Sequence, residues 1–309
     1  MRVVLNSKMT EFKLPYGLKD DELFSIDEVD NGLSCNCVCP ACGHKLIAKK
    51  GSIKNHHFAH YKSVDCSGGL ETALHQMCKE LIFNSETFTT PALCFPQTSY
   101  EIYEERKIPV ENVILEKKMG GIIPDIVIES KGKKLLVEIV VNNPIDYYKR
   151  LKIEKENIAA IVIFAKYLLK DLYLKKDFRL SDINFQNEII NGTKYKFWLH
   201  NPKIEKIKAR LKNEYANKKD INFFDTDLGK YYFVYDCPIE KRHWKKGRNE
   251  GKPYATIDDD CKKCTFCVGI EYGDLPTQTI KNYGRKILKT VHCIGHQISG
   301  LRRILKQLT

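Results

Sequence analysis

Two acidic residues, Asp125 and Glu138, stand where neighbouring strands would bring a pair of carboxylates together. Asp125 lies in the apolar segment 122–129, and Glu138 in the run Leu135-Leu136-Val137-Glu138-Ile139-Val140-Val141. The intervening Ser130-Lys131-Gly132-Lys133 suits a tight hairpin turn. Carboxylates held that close repel each other, and a divalent cation is the usual remedy in phosphoryl-transfer sites. The bland alternative is a strand-end turn at Asp125 and an exposed cross-strand partner at Glu138. The apolar neighbours of Glu138 weigh against it, because a charge buried there without a partner is costly. Upstream, Glu71, His75 and Lys79 recur at four-residue spacing along one polar helix face. As a solvated ladder they would add only roughly 0.2–0.5 kcal/mol per pair.

A second kind of chemistry is written in cysteine and histidine. Cys39-Pro40-Ala41-Cys42-Gly43 is a knuckle-like CxxC, followed by His57-Phe58-Ala59-His60. Cys39, Cys42, His57 and His60 could enclose a tetrahedral structural zinc, which suits thiolate with imidazole and leaves no open position. Cys35, Cys37 and Cys66 lie close by and leave the ligand set open. Near the C-terminus, Cys261-Lys262-Lys263-Cys264-Thr265-Phe266-Cys267 overlaps two CxxC pairs, with Cys237 upstream and Cys293 downstream. The preferred second zinc set is Cys237, Cys261, Cys264 and Cys293, with Cys267 the main competitor and His243 or His296 as substitutes. Four cysteines would also accept an iron–sulfur cluster.

Hydrophobic periodicity supplies the elements that must position these groups. A helix is predicted over 70–83, with Leu70, Leu74, Met77, Cys78, Leu81 and Ile82 on its apolar face. Strands follow over 109–116, 123–129 and 134–141, then a helix from Pro144 to about 156, then a buried strand over 159–164. Helix, three strands, helix, strand is the αβββαβ order of the PD-(D/E)xK, restriction-endonuclease-like core. The expected fold is therefore α/β, with that core over 67–200 flanked by small zinc-binding modules at 1–66 and 201–309. Residues 166–200 read as an α/β extension ending in a strand at 195–199. Pro202 opens a helix with Ile204, Ile207 and Leu211 on one face, and the last helix places Ile298, Leu301, Ile304, Leu305 and Leu308 on another.

The chain of 309 residues carries a formal charge of +12, which favours a polyanionic partner such as nucleic acid. Lys241, Arg242, Lys245, Lys246 and Arg248, with Lys281, Arg285, Lys286 and Lys289, make the C-terminal region basic, and Tyr231, Tyr232, Trp244 and Tyr283 add aromatic surface. That mixture could follow a phosphate backbone and stack exposed bases, or be a solvated surface over a small core. The N-terminus has no secretory apolar region, and no stretch reaches the roughly 18 apolar residues of a membrane helix. The expectation is a soluble, cytoplasmic chain with no membrane partner, able to form homo-oligomers. Its 12 cysteines would then serve as thiols or metal ligands rather than disulfides.

The run 31–42, with Leu46-Ile47-Ala48-Lys49-Lys50-Gly51, His56-His57-Phe58-Ala59-His60, Cys66, Glu71-Thr72-Ala73-Leu74-His75 and Pro124-Asp125…Glu138, resembles the competence protein CoiA-like family. Asp146 and Lys149 extend that likeness, which covers residues 15–165. The resemblance implies a PD-(D/E)xK nuclease-like domain behind a small zinc module, acting in DNA uptake and processing. On that reading Asp125 and Glu138 hold Mg²⁺ or Mn²⁺, Glu71 is the helix acid, and His75 contacts phosphate or supports acid–base chemistry. DNA ranks above RNA only through this likeness. One departure is Val140, which stands where the usual motif has lysine; Lys149 or Lys79 is expected to supply the missing cation. A nucleic-acid-binding adaptor that keeps the fold but lacks activity is the second expectation.

Overall fold

The computed structural model describes residues 13–52, 55–62, 66, 68–173, 184–227, 229–274 and 286–309. Lys281, Tyr283 and Arg285, read above as part of a basic and aromatic surface, lie outside these residues, as does the N-terminal segment 1–12. The chain divides into two units, residues 1–92 with 104–201 and residues 93–103 with 202–309.

The first unit begins with an antiparallel hairpin, β1 (Tyr16–Lys19) and β2 (Glu22–Ser25), and a second antiparallel pair, β3 (Leu46–Lys49) and β4 (His57–His60). Helix α1 (Gly69–Phe83) buries Ala73, Leu74, Cys78 and Ile82 on the apolar face predicted for it. Strand β5 (Thr87–Thr90) follows, then β6 (Leu93–Cys94) and β7 (Glu101–Tyr103), a hairpin of the second unit, and β8 (Arg106–Pro109), which returns to pair with β5. The main sheet then forms from β9 (Asn112–Leu115), β10 (Ile126–Ser130) and β11 (Lys133–Val140), crosses over through α2 (Tyr147–Glu156), and continues with β12 (Ala159–Phe164). Helices α3 (Ala165–Tyr173) and α4 (Asn184–Ile190) precede the edge strand β13 (Lys196–His200). Strand order is β13-β12-β11-β10-β9, with β11 and β12 parallel and the other pairs antiparallel.

The two faces of this sheet carry different cores. Ile126, Ile128, Val137 and Ile139 point to the side of α1, α3 and α4, where Leu74, Leu169 and Phe185 meet them. Val127, Leu136 and Ala160 point to the other side, where Ile153 of α2 is fully buried. The same core that holds α1 also takes in Cys35, Leu46 and Phe58, so the N-terminal hairpins pack on the helix rather than beside it. The turn Lys131-Gly132 joins β10 to β11 with both residues at positive φ, 48° and 69°, the conformation a two-residue hairpin prefers. The helix predicted from Pro144 begins three residues later, at Tyr147. Asp146 caps α2, its carboxylate accepting the Lys149 N–H at 3.0 Å, so Pro144 belongs to the approach.

In the second unit α5 (Pro202–Glu214) buries the predicted Ile204, Ile207 and Leu211. Strand β14 (Asn217–Asp220) joins a sheet with two later strands, β19 (Cys267–Asp274) and β20 (Lys286–Cys293), in the order β14-β20-β19. Between them lie β15 (Asn222–Thr226), β16 (Gly229–Tyr235), β17 (Arg242–His243) and β18 (Pro253–Thr256), an antiparallel sheet in the order β15-β16-β18-β17. Helix α6 (Leu301–Leu308) buries Leu301, Ile304, Leu305 and Leu308; Ile298, assigned to the same face, precedes the helix and is exposed. The early hairpin β6–β7 is tied to this unit. Gln97 donates to the Lys263 carbonyl at 2.6 Å and accepts from the Thr265 hydroxyl at 2.9 Å, while Leu93 and Phe95 are buried. Among the described residues no helix is long and apolar enough to cross a membrane.

Candidate functional site

The hairpin register puts Ile126 opposite Val137, so one step further Asp125 stands opposite Glu138. Glu138 shares the parity of Leu136 and faces the α2 side of the sheet, and Asp125, just outside the strand, lies close enough for its charge to act on the Glu138 carboxyl. Asp125 sits just before β10, and its Oδ2 accepts the Ile139 N–H at 2.7 Å, which fixes it against the neighbouring strand. His75, on α1, brings Nδ1 to 3.7 Å from the same carboxylate oxygen. Burial holds the His75 imidazole below its usual value, against the pull of the Asp125 charge.

Glu138 is 3 % exposed. Its Oε2 takes a 2.6 Å ion pair from the Lys149 ammonium, and its Oε1 is buried with no hydrogen-bond partner. Burial drives its carboxyl up to about 7, with the Asp125 charge adding to the rise and Lys149 opposing it. Lys149 reaches there because it lies one turn before Ile153, the residue that anchors α2 to this face. Lys79, the alternative cation, pairs instead with Glu116 at 2.6 Å. Val140, two residues beyond Glu138, is buried. Glu71 on α1 accepts from Asn142 at 3.3 Å and from Asn143 at 3.2 Å, the two residues that end the strand. Those asparagines are the polar group the sequence did not tie to Glu71, although their position just past the glutamate strand was a signal.

The N-terminal donors converge differently from the spacing argument. Cys39, Cys42, His60 and Cys66 bring one ligand atom each within 4.8 Å of one another, and such a set could bind zinc. Cys42 Sγ lies 3.3 Å from His60 Nε2, and Cys39 Sγ lies 3.9 Å from Cys66 Sγ. His57 is not in the group. On β4 it is three residues from His60, and an odd spacing along a strand sends two side chains to opposite faces. Its imidazole meets the Asn55 carbonyl at 2.8 Å and Lys13 at 3.1 Å. Cys66, just ahead of α1, takes the fourth place. Cys35 and Cys37 are core thiols that donate to the carbonyls of Leu46 and Cys35. Burial raises the Cys39 thiol to about 11. Burial also raises Cys42, but hydrogen bonds from His44 and the neighbouring thiols outweigh it and bring the group down to about 6. Gly43, at φ 71°, closes the knuckle with its N–H on the Cys39 carbonyl at 2.8 Å. The expected consequence is that His60→Ala purifies without the bound metal while His57→Ala keeps it, by elemental analysis.

In the second unit one cavity of about 20 Å³ is lined by Cys237, Cys261, Cys264, Cys267 and Cys293. Cys267 stands opposite Cys293 across β19 and β20, and Cys293 Sγ accepts the Gly295 N–H at 3.3 Å. Burial pushes up the Cys261 thiol, and each of the other four cysteines adds to that. Neither His243 nor His296 lines the cavity.

Comparison with curated proteins gives no match, and neither does comparison with solved structures. Residues 25–69 match the family model described as Competence protein CoiA, N-terminal domain. That span contains all four converging donors of the first unit, and over it the chain is similar to the competence protein CoiA-like family.

Proposed function

We propose that the chain is a Mg²⁺- or Mn²⁺-dependent DNA nuclease built on a PD-(D/E)xK-type core, serving competence-related uptake or processing of DNA. The observation that carries this reading is the closeness of the Asp125 and Glu138 carboxylates, with Glu138 Oε1 buried and unpartnered. An orphaned carboxylate oxygen beside a second carboxylate suits a divalent cation better than any other occupant. Bound there, the cation would polarise a phosphodiester oxygen and acidify a nearby water. Asp125 and Glu138 would hold it, with the Ile139 N–H keeping Asp125 in place. The Lys149 ammonium keeps Glu138 available as a carboxylate and offers positive charge towards a phosphate. His75 is mostly neutral at pH 7, free to accept or pass a proton beside Asp125. Glu71 orients the Asn142 and Asn143 amides at the same strand end.

Val140 favours a second reading, an inactive adaptor, because valine neither orients water nor stabilises charge. Lys149 answers that objection by reaching the same carboxylate from α2. A zinc ion at Cys39, Cys42, His60 and Cys66 completes the proposal; the five C-terminal cysteines, proposed to hold a second, line a common cavity without converging as that group does.

The test is incubation of the full chain with linear and circular DNA in Mg²⁺ or Mn²⁺. Lys149→Ala should slow cleavage roughly 10- to 100-fold, the usual cost of losing a partner that supports a metal ligand. Lys79→Ala should leave the rate near wild type. Binding without cleavage under all these conditions refutes the nuclease and supports the adaptor.

A further inference from the structure

An antiparallel sheet with one packed face ordinarily presents polar side chains on the other. The sheet β15-β16-β18-β17 does not. Its inner face sends Tyr232, Val234 and Ala255 into the core that holds Cys237 and Cys261. Its outer face carries Tyr231, Phe233 and Tyr235 along β16, with Phe224 opposite Tyr231 and Tyr254 opposite Tyr235. Trp244 joins them, stacked on Tyr254 at 4.3 Å between centroids and edge-on to Phe233 at 5.2 Å. Phe224 continues the row, 4.8 Å from Tyr231 and 5.7 Å from Phe233. The six rings form one connected cluster, with Phe233 buried at its centre and Tyr231, Trp244 and Tyr254 half-buried around it. Phe224 is 41 % exposed and Tyr235 36 %, so rings at two places along the row reach solvent. None of the described outward positions on these strands is aliphatic.

The segment that delivers Trp244 is the most basic on the sheet. Residues 241–252 contain Lys241, Arg242, Lys245, Lys246, Arg248 and Lys252, against Glu250 as the sole acid. Arg242 is held inward by Asp260 at 2.6 Å, while the four lysines and Arg248 are exposed. A partner that fits must therefore offer flat apolar faces and negative charge at short, regular intervals. Unpaired bases on a phosphate backbone do so; a duplex hides the faces of its bases, and an acidic protein surface offers few rings to stack.

We infer that this outer face is a binding platform for single-stranded nucleic acid, with exposed bases stacking on Phe224, Tyr235 and Trp244 and phosphates drawn to the basic 241–252 segment. The assignment does not depend on the cleavage reading, since it concerns binding by a separate set of residues.

The test measures binding of labelled oligothymidylate and of a duplex of equal length to the full chain, with no Mg²⁺ or Mn²⁺ added. In a Trp198→Phe background, Trp244 is the remaining tryptophan of the 2 in the sequence, so its emission reports on the platform alone. Oligothymidylate should quench that emission and bind more tightly than the duplex. Removing a ring, in Phe224→Ala or Tyr235→Ala, should weaken binding about tenfold, within the range found for stacked bases. Lys245→Gln with Lys246→Gln should flatten the salt dependence, a result that does not rely on the ring variants folding. Unchanged Trp244 emission on binding, equal affinity for the duplex, or full affinity in both ring variants overturns the proposal. Loss of cleavage in an Asp125 variant with oligothymidylate binding intact leaves it standing, so the two readings can fail separately.

Discussion

Glu138→Gln will stop metal-dependent cleavage and at the same time make the protein more stable above pH 7. On the proposed reading this removes one of two carboxylate ligands and several kcal/mol of charge stabilisation, so the rate should fall by about 10³-fold or more. The stability effect has the opposite sign and comes from the same burial. The carboxyl of Glu138 is raised from 4.5 to about 7, so the folded chain holds this proton more tightly than the unfolded chain does. The stabilisation from that proton is complete below pH 4.5 and is lost as pH rises through 7. At 1.36 kcal/mol per unit the loss is about 3 kcal/mol. Glutamine does not titrate, so the stability gained by the variant should grow by about that amount between pH 4 and pH 8, read from urea unfolding at each pH. A variant that cleaves at the wild-type rate, or a gap that stays flat with pH, would show that Glu138 is neither ligand nor strained. The trade of stability for a charged site is the usual signature of function.

Stripping the zinc proposed at the N-terminal site should have the second large effect. Four converging donors stand at Cys39, Cys42, His60 and Cys66, and structural zinc in small modules contributes up to about 10–16 kcal/mol of apparent binding free energy. That is comparable with the whole stability of a typical domain, about 5–15 kcal/mol. The damage should not stop at residue 66. Helix α1 begins at Gly69 behind Gly68, which makes no side-chain cap. A Cβ added at Gly69 would lie 3.3 Å from Cys39 Sγ, so the helix start and the metal site are packed together. Loss of the ion, by a strong chelator or by Cys66→Ser, should fray the first turns of α1, which carry Glu71 and His75. The expected result is a lower melting temperature, less helix by circular dichroism and weaker cleavage, all restored by Zn²⁺ in the chelated wild type. Unchanged melting after verified metal removal would mean that these thiols stabilise the fold without an ion.

Much of this was legible in the sequence because the signals were local. The α1 apolar face, the Lys131-Gly132 turn and the Glu138 strand each follow from spacing within a dozen residues, and together they bring Asp125 and Glu138 into register. The choice between Lys149 and Lys79 was not legible. It depends on Ile153 seating α2 on one sheet face while α1 seats on the other, a three-dimensional fact. At His57 the period-two rule overrides the metal-ligand spacing: a strand over 57–60 sends His57 and His60 to opposite faces. The aromatic row needed the pairing of Phe224 with Tyr231 and Tyr235 with Tyr254, which residue order alone does not specify.

The short hairpin at 93–103 has a consequence for how the polypeptide matures on the ribosome. It emerges early, yet the groups that receive it, Lys263 and Thr265 around Gln97, are translated more than a hundred and fifty positions later. Phe95 must therefore wait through most of synthesis before its burial is complete, while the segments on either side can already close around each other. No single cut separates the two units cleanly, and any fragment ending at residue 201 carries a hydrophobic loop whose proper cover has not been made.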